Sequence, residues 1–225
     1  MLWSPNSQLH YPFENTAKDY SGNGRDGTVN GSGVYATRPG GSRSLYFDGN
    51  GDYVVTPSLA LSGTVFILSS AIRCKINTAA AQMIWKDGSY AATAFCYIFR
   101  EANTSDLAFR CNDGATHTIY TATNFFSGSF EDAWLSMMIV ADFVGKLVRF
   151  YRNGTLFFTS AAMSGTPVFP SFNRAKYLGT YDFVALMLKL GYLQNLQVFT
   201  LATMPAAAQM LANAKRLMLG FNPIW

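Results

Sequence analysis

The sequence predicts an all-β fold, a two-sheet antiparallel jelly-roll sandwich that ends in a short helix and tail. Three observations predict it. Apolar stretches of strand length recur along the chain, turns rich in Gly, Asn and Asp separate them, and no helical periodicity interrupts them before Pro205. Many short strands with such turns and no alternating helices form the pattern of a sandwich.

The strand segments are 44–48, 53–56, 65–72, 95–100, 107–111, 134–141, 147–152, 156–160 and 193–200. Asp48-Gly49, Asp87-Gly88, Asp113-Gly114 and Asn153-Gly154 punctuate them. The last is the sharpest signal, because a type I′ turn needs positive φ at both central residues and Asn-Gly supplies it. Alternation then turns Val148 and Phe150 to one face, and Arg149 and Tyr151 to the other. If 95–100 and 107–111 pair around the loop between them, Arg100 stands opposite Leu107 and Cys96 opposite Cys111. Opposed cysteines can lie within reach of a bond. Three cysteines in a chain without an export signal read by default as reduced, buried thiols.

Pro205 opens a helix through Leu219, with Gly220 as its stop. Met210, Leu211, Ala214, Leu217 and Met218 form its apolar stripe, and Lys215 and Arg216 sit where cations suit the helix dipole. The chain thus divides into a sandwich over 1–203 and a helix and apolar tail over 204–225. Phe221, Ile224 and Trp225 either fold back onto the sandwich or, with Lys215 and Arg216, dock a partner.

Composition supports one domain with a large core: 49% of the 225 residues are hydrophobic and only 13% charged. No apolar run approaches the ~18 residues a membrane helix needs. Charge is uneven. Residues 1–170 are neutral, whereas Arg174, Lys176, Lys189, Lys215 and Arg216 face Asp182 alone and make the whole net charge of +4. Such an end either meets an acidic partner surface or solvates one face.

Four segments in chain order carry a family resemblance. They are Leu9-His10-Tyr11-Pro12-Phe13-Glu14-Asn15, then Asp19-Tyr20-Ser21-Gly22-Asn23-Gly24-Arg25-Asp26-Gly27, then Leu45-Tyr46-Phe47-Asp48-Gly49-Asn50-Gly51-Asp52-Tyr53-Val54, and finally Val148-Arg149-Phe150-Tyr151-Arg152-Asn153-Gly154. Together they resemble the laminin-G-like, concanavalin A-like jelly-roll family of lectins and glucanases, in its phage structural or adhesive branch. The resemblance implies a domain that binds sugars or proteins, and enzymes in some branches only. It also implies a rim calcium held by Asp and Asn oxygens, for which Asp19, Asn23, Asp26, Asp48 and Asp52 are the candidates. Ordinary Asx turns are the other reading of those residues. Where relatives carry an acidic pair in the closing strand, this chain has Gln194-Asn195, which would hold a divalent ion weakly.

Catalysis finds little footing. The carboxylate pattern of jelly-roll glucanases, Glu-x-Asp-x-x-Glu, is absent, and the adjacent Glu131-Asp132 would point to opposite faces of a strand. His10 and His117 have no metal spacing with the cysteines, and no Gly-x-Ser-x-Gly elbow occurs. Sugar binding asks for exposed rings beside carboxylates or amides. Trp85, Asp87 and Tyr90 form one such cluster, Tyr181 and Asp182 another. The dispersed cations give no nucleic-acid footprint. The expectation is a non-catalytic virion surface protein, a capsid decoration or fibre-associated protein made in the host cytoplasm. Its partners would be other virion proteins, copies of itself or surface glycans. The alternative is a free carbohydrate-binding lectin.

Overall fold

The computed structural model describes residues 6–37, 41–74, 80–87, 95–112, 117–130, 132–171, 173–179 and 191–218. The strands are β1 (Ser7–Tyr11), β2 (Thr28–Asn30), β3 (Val34–Thr37), β4 (Arg43–Phe47), β5 (Tyr53–Val55), β6 (Val65–Cys74), β7 (Gln82–Asp87) and β8 (Cys96–Arg100). They continue as β9 (Leu107–Asn112), β10 (His117–Ala122), β11 (Leu135–Asp142), β12 (Leu147–Arg152), β13 (Thr155–Thr159), β14 (Lys176–Leu178) and β15 (Gly191–Leu201). One helix, α1 (Ala207–Met218), follows.

Two antiparallel sheets result. The first has the order β13-β12-β11-β6-β15-β4-β3, with β1 also paired to β15. The second has the order β10-β9-β8-β7-β14-β5-β2. All nine strand segments read from the sequence are present. The two-sheet antiparallel sandwich is therefore the fold.

Alternation decides which side chains enter the core. Across the second sheet one inward row reads Val54, Leu178, Trp85, Ile98, Phe109 and Tyr120, all direct or successive register partners. The first sheet supplies Leu45, Phe66, Leu68, Ile72, Ile139, Phe150, Leu193 and Val198 to the same cluster. Phe66 meets Trp85 across the sandwich, with ring centroids 6.1 Å apart.

The β12–β13 hairpin turns on Asn153 (φ 48°) and Gly154 (φ 75°), the conformation its Asn-Gly requires. Val148 and Phe150 face the core and Tyr151 the opposite side, as alternation expects. Arg100 pairs with Leu107 and Cys96 with Cys111, while Cys74, Cys96 and Cys111 are all free thiols in the core. Burial pushes the Cys74 thiol up to about 12.

Helix α1 lies on the outer face of the first sheet. Met210 and Ala214 pack there on Val65, Ile67, Met138, Val140, Tyr151, Phe199 and Leu201. The apolar stripe expected for the helix is narrower than the sequence suggests, since Leu211 is 37% exposed. Lys215 and Arg216 fall in the last turn, as expected.

Candidate functional site

The sandwich presents two outer faces, and the helix covers only one end of the first. At the other end, a row of side chains crosses four elements. Val34 on β3 pairs with Tyr46 on β4, Tyr46 with Tyr192 on β15, and Tyr192 with Arg73 on β6. Trp134, the residue before β11, completes the row. Each of these positions faces outward because its neighbours, Leu45 and Phe47, Ile72 and Cys74, Leu193 and Leu135, are claimed by the core.

The rings form a continuous platform. Tyr46 and Tyr192 have centroids 4.7 Å apart, and Trp134 lies 5.8 Å from Tyr192. The Arg73 guanidinium stands 5.4 Å above the Tyr192 ring. Asp132 holds that guanidinium through Nε to Oδ1 at 3.1 Å and Nη2 to Oδ2 at 3.2 Å, and Nε also donates to the Asp132 carbonyl at 2.8 Å. All three rings are half-buried. Burial, then Tyr192, raises the Tyr46 phenol above its ordinary value, and its hydroxyl, protonated at neutral pH in either case, can donate a hydrogen bond. Contiguous, mutually tilted rings beside a fixed guanidinium and carboxylate can take an apolar face and bond the hydroxyls at its edge.

The outer face of the second sheet carries a smaller ladder. Tyr53 and Tyr177 lie 6.5 Å apart, with Lys86 Nζ 5.7 Å above the Tyr177 ring. Beside it Met83, Phe95 and Tyr97 form a buried cluster of their own.

The residues expected from sequence to bind glycan are placed differently. Trp85 is fully buried in the core and offers no face to a sugar. Asp87 is buried too, held by Lys176 and Arg174 rather than displayed on a loop. That pairing also takes Lys176 away from the expected basic surface at the C-terminal end. Tyr90, Tyr181 and Asp182 lie outside the described residues, as do Phe221, Ile224 and Trp225.

The candidate calcium ligands act as turn acceptors. Asp19 Oδ1 accepts from the His10 and Ser21 amides at 2.9 Å, and Oδ2 from Ser21 Oγ at 2.8 Å and the Arg25 amide at 3.0 Å. Asp26 Oδ1 accepts from the Asp19 amide, while Asn23 Nδ2 donates to the Ser7 carbonyl. In the other loop, Asp52 Oδ2 accepts from the Asp48 amide and Asp48 Oδ1 from the Asn50 amide. Ser32 Oγ lies 3.3 Å from Asp48 Oδ2 and 3.2 Å from Asp52 Oδ1. These contacts are those of Asx turns, the other reading of the same residues. Among the described residues, no group of three or more His, Cys, Asp or Glu stands close enough to hold a metal.

The platform residues Tyr46, Tyr192, Trp134 and Arg73 were not singled out as a site by sequence reasoning. Their signal is aromatic or cationic character at outward parity. It becomes legible only once the register of four strands distant in sequence is known.

No protein-family model matches this chain, and no curated protein matches it in sequence. Solved structures match its fold. The binding domain of botulinum neurotoxin serotype D superposes with a TM-score of 0.70 at 11% identity, over 96% of this chain and 52% of that one. The binding domain of Paraclostridial Mosquitocidal Protein 1 gives 0.70 at 14%, over 95% and 52%. Domain 4 of AbnA, an extracellular GH43 arabinanase of Geobacillus stearothermophilus solved with arabinotriose, gives 0.67 at 18%, over 95% and 98%. The likeness is one of fold. This chain spans about half the length of the toxin domains and nearly all of the arabinanase domain. Among the described residues, no helix is long and apolar enough to cross a membrane.

Proposed function

We propose that this protein is a non-catalytic binding module whose ligand is a carbohydrate, seated on Tyr46, Tyr192 and Trp134 and oriented by Arg73 and Asp132. One observation carries the reading: three contiguous half-exposed rings end in a bidentate Arg–Asp pair on the outer face of the first sheet. The fold supports it, since similar structures are binding domains and one was solved with arabinotriose.

A glycan-array screen tests it. The wild type is expected to bind a defined set of glycans equally with calcium and with chelator, because ring faces and a guanidinium hold a sugar without a metal. Tyr192→Ala should weaken that binding by roughly tenfold or more, the loss of about 1.4 kcal/mol of stacking and cation–π support. Unchanged binding by Tyr192→Ala and Trp134→Ala would remove the platform from the site.

The setting we propose is a virion surface, as a capsid decoration or fibre-associated protein attached to neighbouring copies or other shell proteins. What supports attachment is the edge strand β13, which leaves Leu156 50% and Phe158 36% exposed. Beside it, α1 contributes the exposed Leu211 and the cations Lys215 and Arg216. An unpaired apolar edge is a surface that another chain can add to.

A further inference from the structure

A polar row crosses the inward face of the second sheet. It runs from Thr56 through Lys176, Asp87, Cys96 and Cys111 to Thr118, each the cross-strand neighbour of the next. At its centre Asp87 and Lys176 are both fully buried, and Lys176 Nζ lies 2.8 Å from Asp87 Oδ1. Arg174 Nε donates to the same oxygen at 3.0 Å. Asp87 Oδ2 is buried and has no hydrogen-bond partner among the described residues. Trp85, on the same face two residues earlier, and Cys96, across from Asp87, help to wall the pair off from water, and both are fully buried.

We propose that Lys176 and Asp87 condense into an intramolecular isopeptide bond that staples β14 to β7.

The chemistry balances without a cofactor. The pair holds one transferable proton, which moves from the Nζ ammonium to the carboxylate and leaves a neutral amine against a neutral carboxyl group. Burial drives that transfer, lowering the affinity of Lys176 for its proton and raising that of Asp87. Nζ then attacks Cγ. The N–Cγ bond forms, the Cγ–Oδ2 bond breaks, and Oδ2 departs as one water with the two protons it collects from the carboxyl and the amine. Oδ1 becomes the amide oxygen. Arg174 already donates to it and stabilises the negative charge it carries in the tetrahedral intermediate. The unbonded Oδ2 is the oxygen free to carry the proton and leave.

The surroundings favour the product. A buried ammonium–carboxylate pair is expensive to keep in a dry core, whereas an amide carries no net charge. Arg174 has 27% of its side chain exposed, so its charge remains solvated after the carboxylate is consumed. The Cys96 thiol, held well above its ordinary value by burial and by Asp87, is not a competing nucleophile.

Intact mass spectrometry of the purified, folded full chain decides the matter, before and after prolonged incubation. The expected mass is one water, about 18 Da, below the sequence mass. Digestion should yield a branched peptide joining Lys176 to Asp87, and Lys176→Arg should have its full sequence mass. A wild-type mass equal to the sequence mass would overturn the proposal, as would a water loss mapped to another pair of residues. Neither outcome depends on a variant that folds.

Discussion

His10 shows how one buried side chain ties pH to stability. Its Nε2 bonds Asn195 Oδ1 at 2.6 Å, and its ring meets Tyr20 edge-on. Burial outweighs both the Asn195 bond and the nearby Asp19, and it lowers the pKa below the ordinary 6.5. The folded state therefore binds fewer protons than the unfolded chain between the two values. Stability is present above about pH 6.5 and declines as pH falls through the folded value. Denaturant midpoints at about pH 7.5 and about pH 5 should differ in the wild type, and His10→Gln should narrow the gap. Trp85→Ala should cost about 3–5 kcal/mol as a core cavity, measured by the same melts, and should leave glycan binding unchanged. Trp85 also shows where the sequence was silent. Its Lys86-Asp87-Gly88 context resembles a loop, yet β7 runs through Asp87. A register shift between Met83 and Trp85 puts Met83 on the outer cluster and Trp85 in the core. No residue pattern marks that bulge, so the parity of every side chain beyond it was illegible.

At the scale of elements, long segments with strong periodicity were read well and short ones poorly. Eight-residue β11 and ten-residue β6 carry unbroken runs of core residues, and Asn153-Gly154 fixes its hairpin by backbone chemistry alone. β2 and β14, three residues each, are strands only because neighbours supply hydrogen-bond partners, β5 beside β2, and β5 and β7 on either side of β14. Nothing local in Thr28-Val29-Asn30 says so. The helix was legible from its proline and stripe, but that Met210 packs while Leu211 is exposed was not, since that depends on the sheet beneath it. Met210 is the test. Met210→Ala should destabilise by about 2–5 kcal/mol, because it empties the contact with Val65, Ile67 and Phe199. Leu211→Ala, one residue on and exposed, should change stability by less than about 0.5 kcal/mol. Parallel thermal melts of the two variants would separate a helix docked by one face from one that merely lies nearby.

For the molecule as a whole, the proposed platform and the apolar edge are separate parts of the first sheet, the ring row running from β4 to the start of β11 and the edge lying on β13. Tyr46 and Tyr192 lie near the β3 side, Leu156 and Phe158 on the β13 side. A module attached through one could thus present the other. Leu156→Lys with Phe158→Lys should lower self-association in sedimentation velocity while leaving glycan affinity unchanged, whereas equal sedimentation would remove the edge from the assembly. The arrangement of that sheet has a consequence for how the protein is made. β15 stands in its middle, bonded along one side to β6 and along the other to β4 and then β1. A ribosome releases β1, β4 and β6 long before it releases β15, so the growing chain waits with an open slot where its central strand belongs. Closing that slot joins residues nearly two hundred positions apart, the kind of contact that makes folding slow and leaves strand edges exposed meanwhile. The nascent protein thus depends on what shields it until Leu201 has emerged.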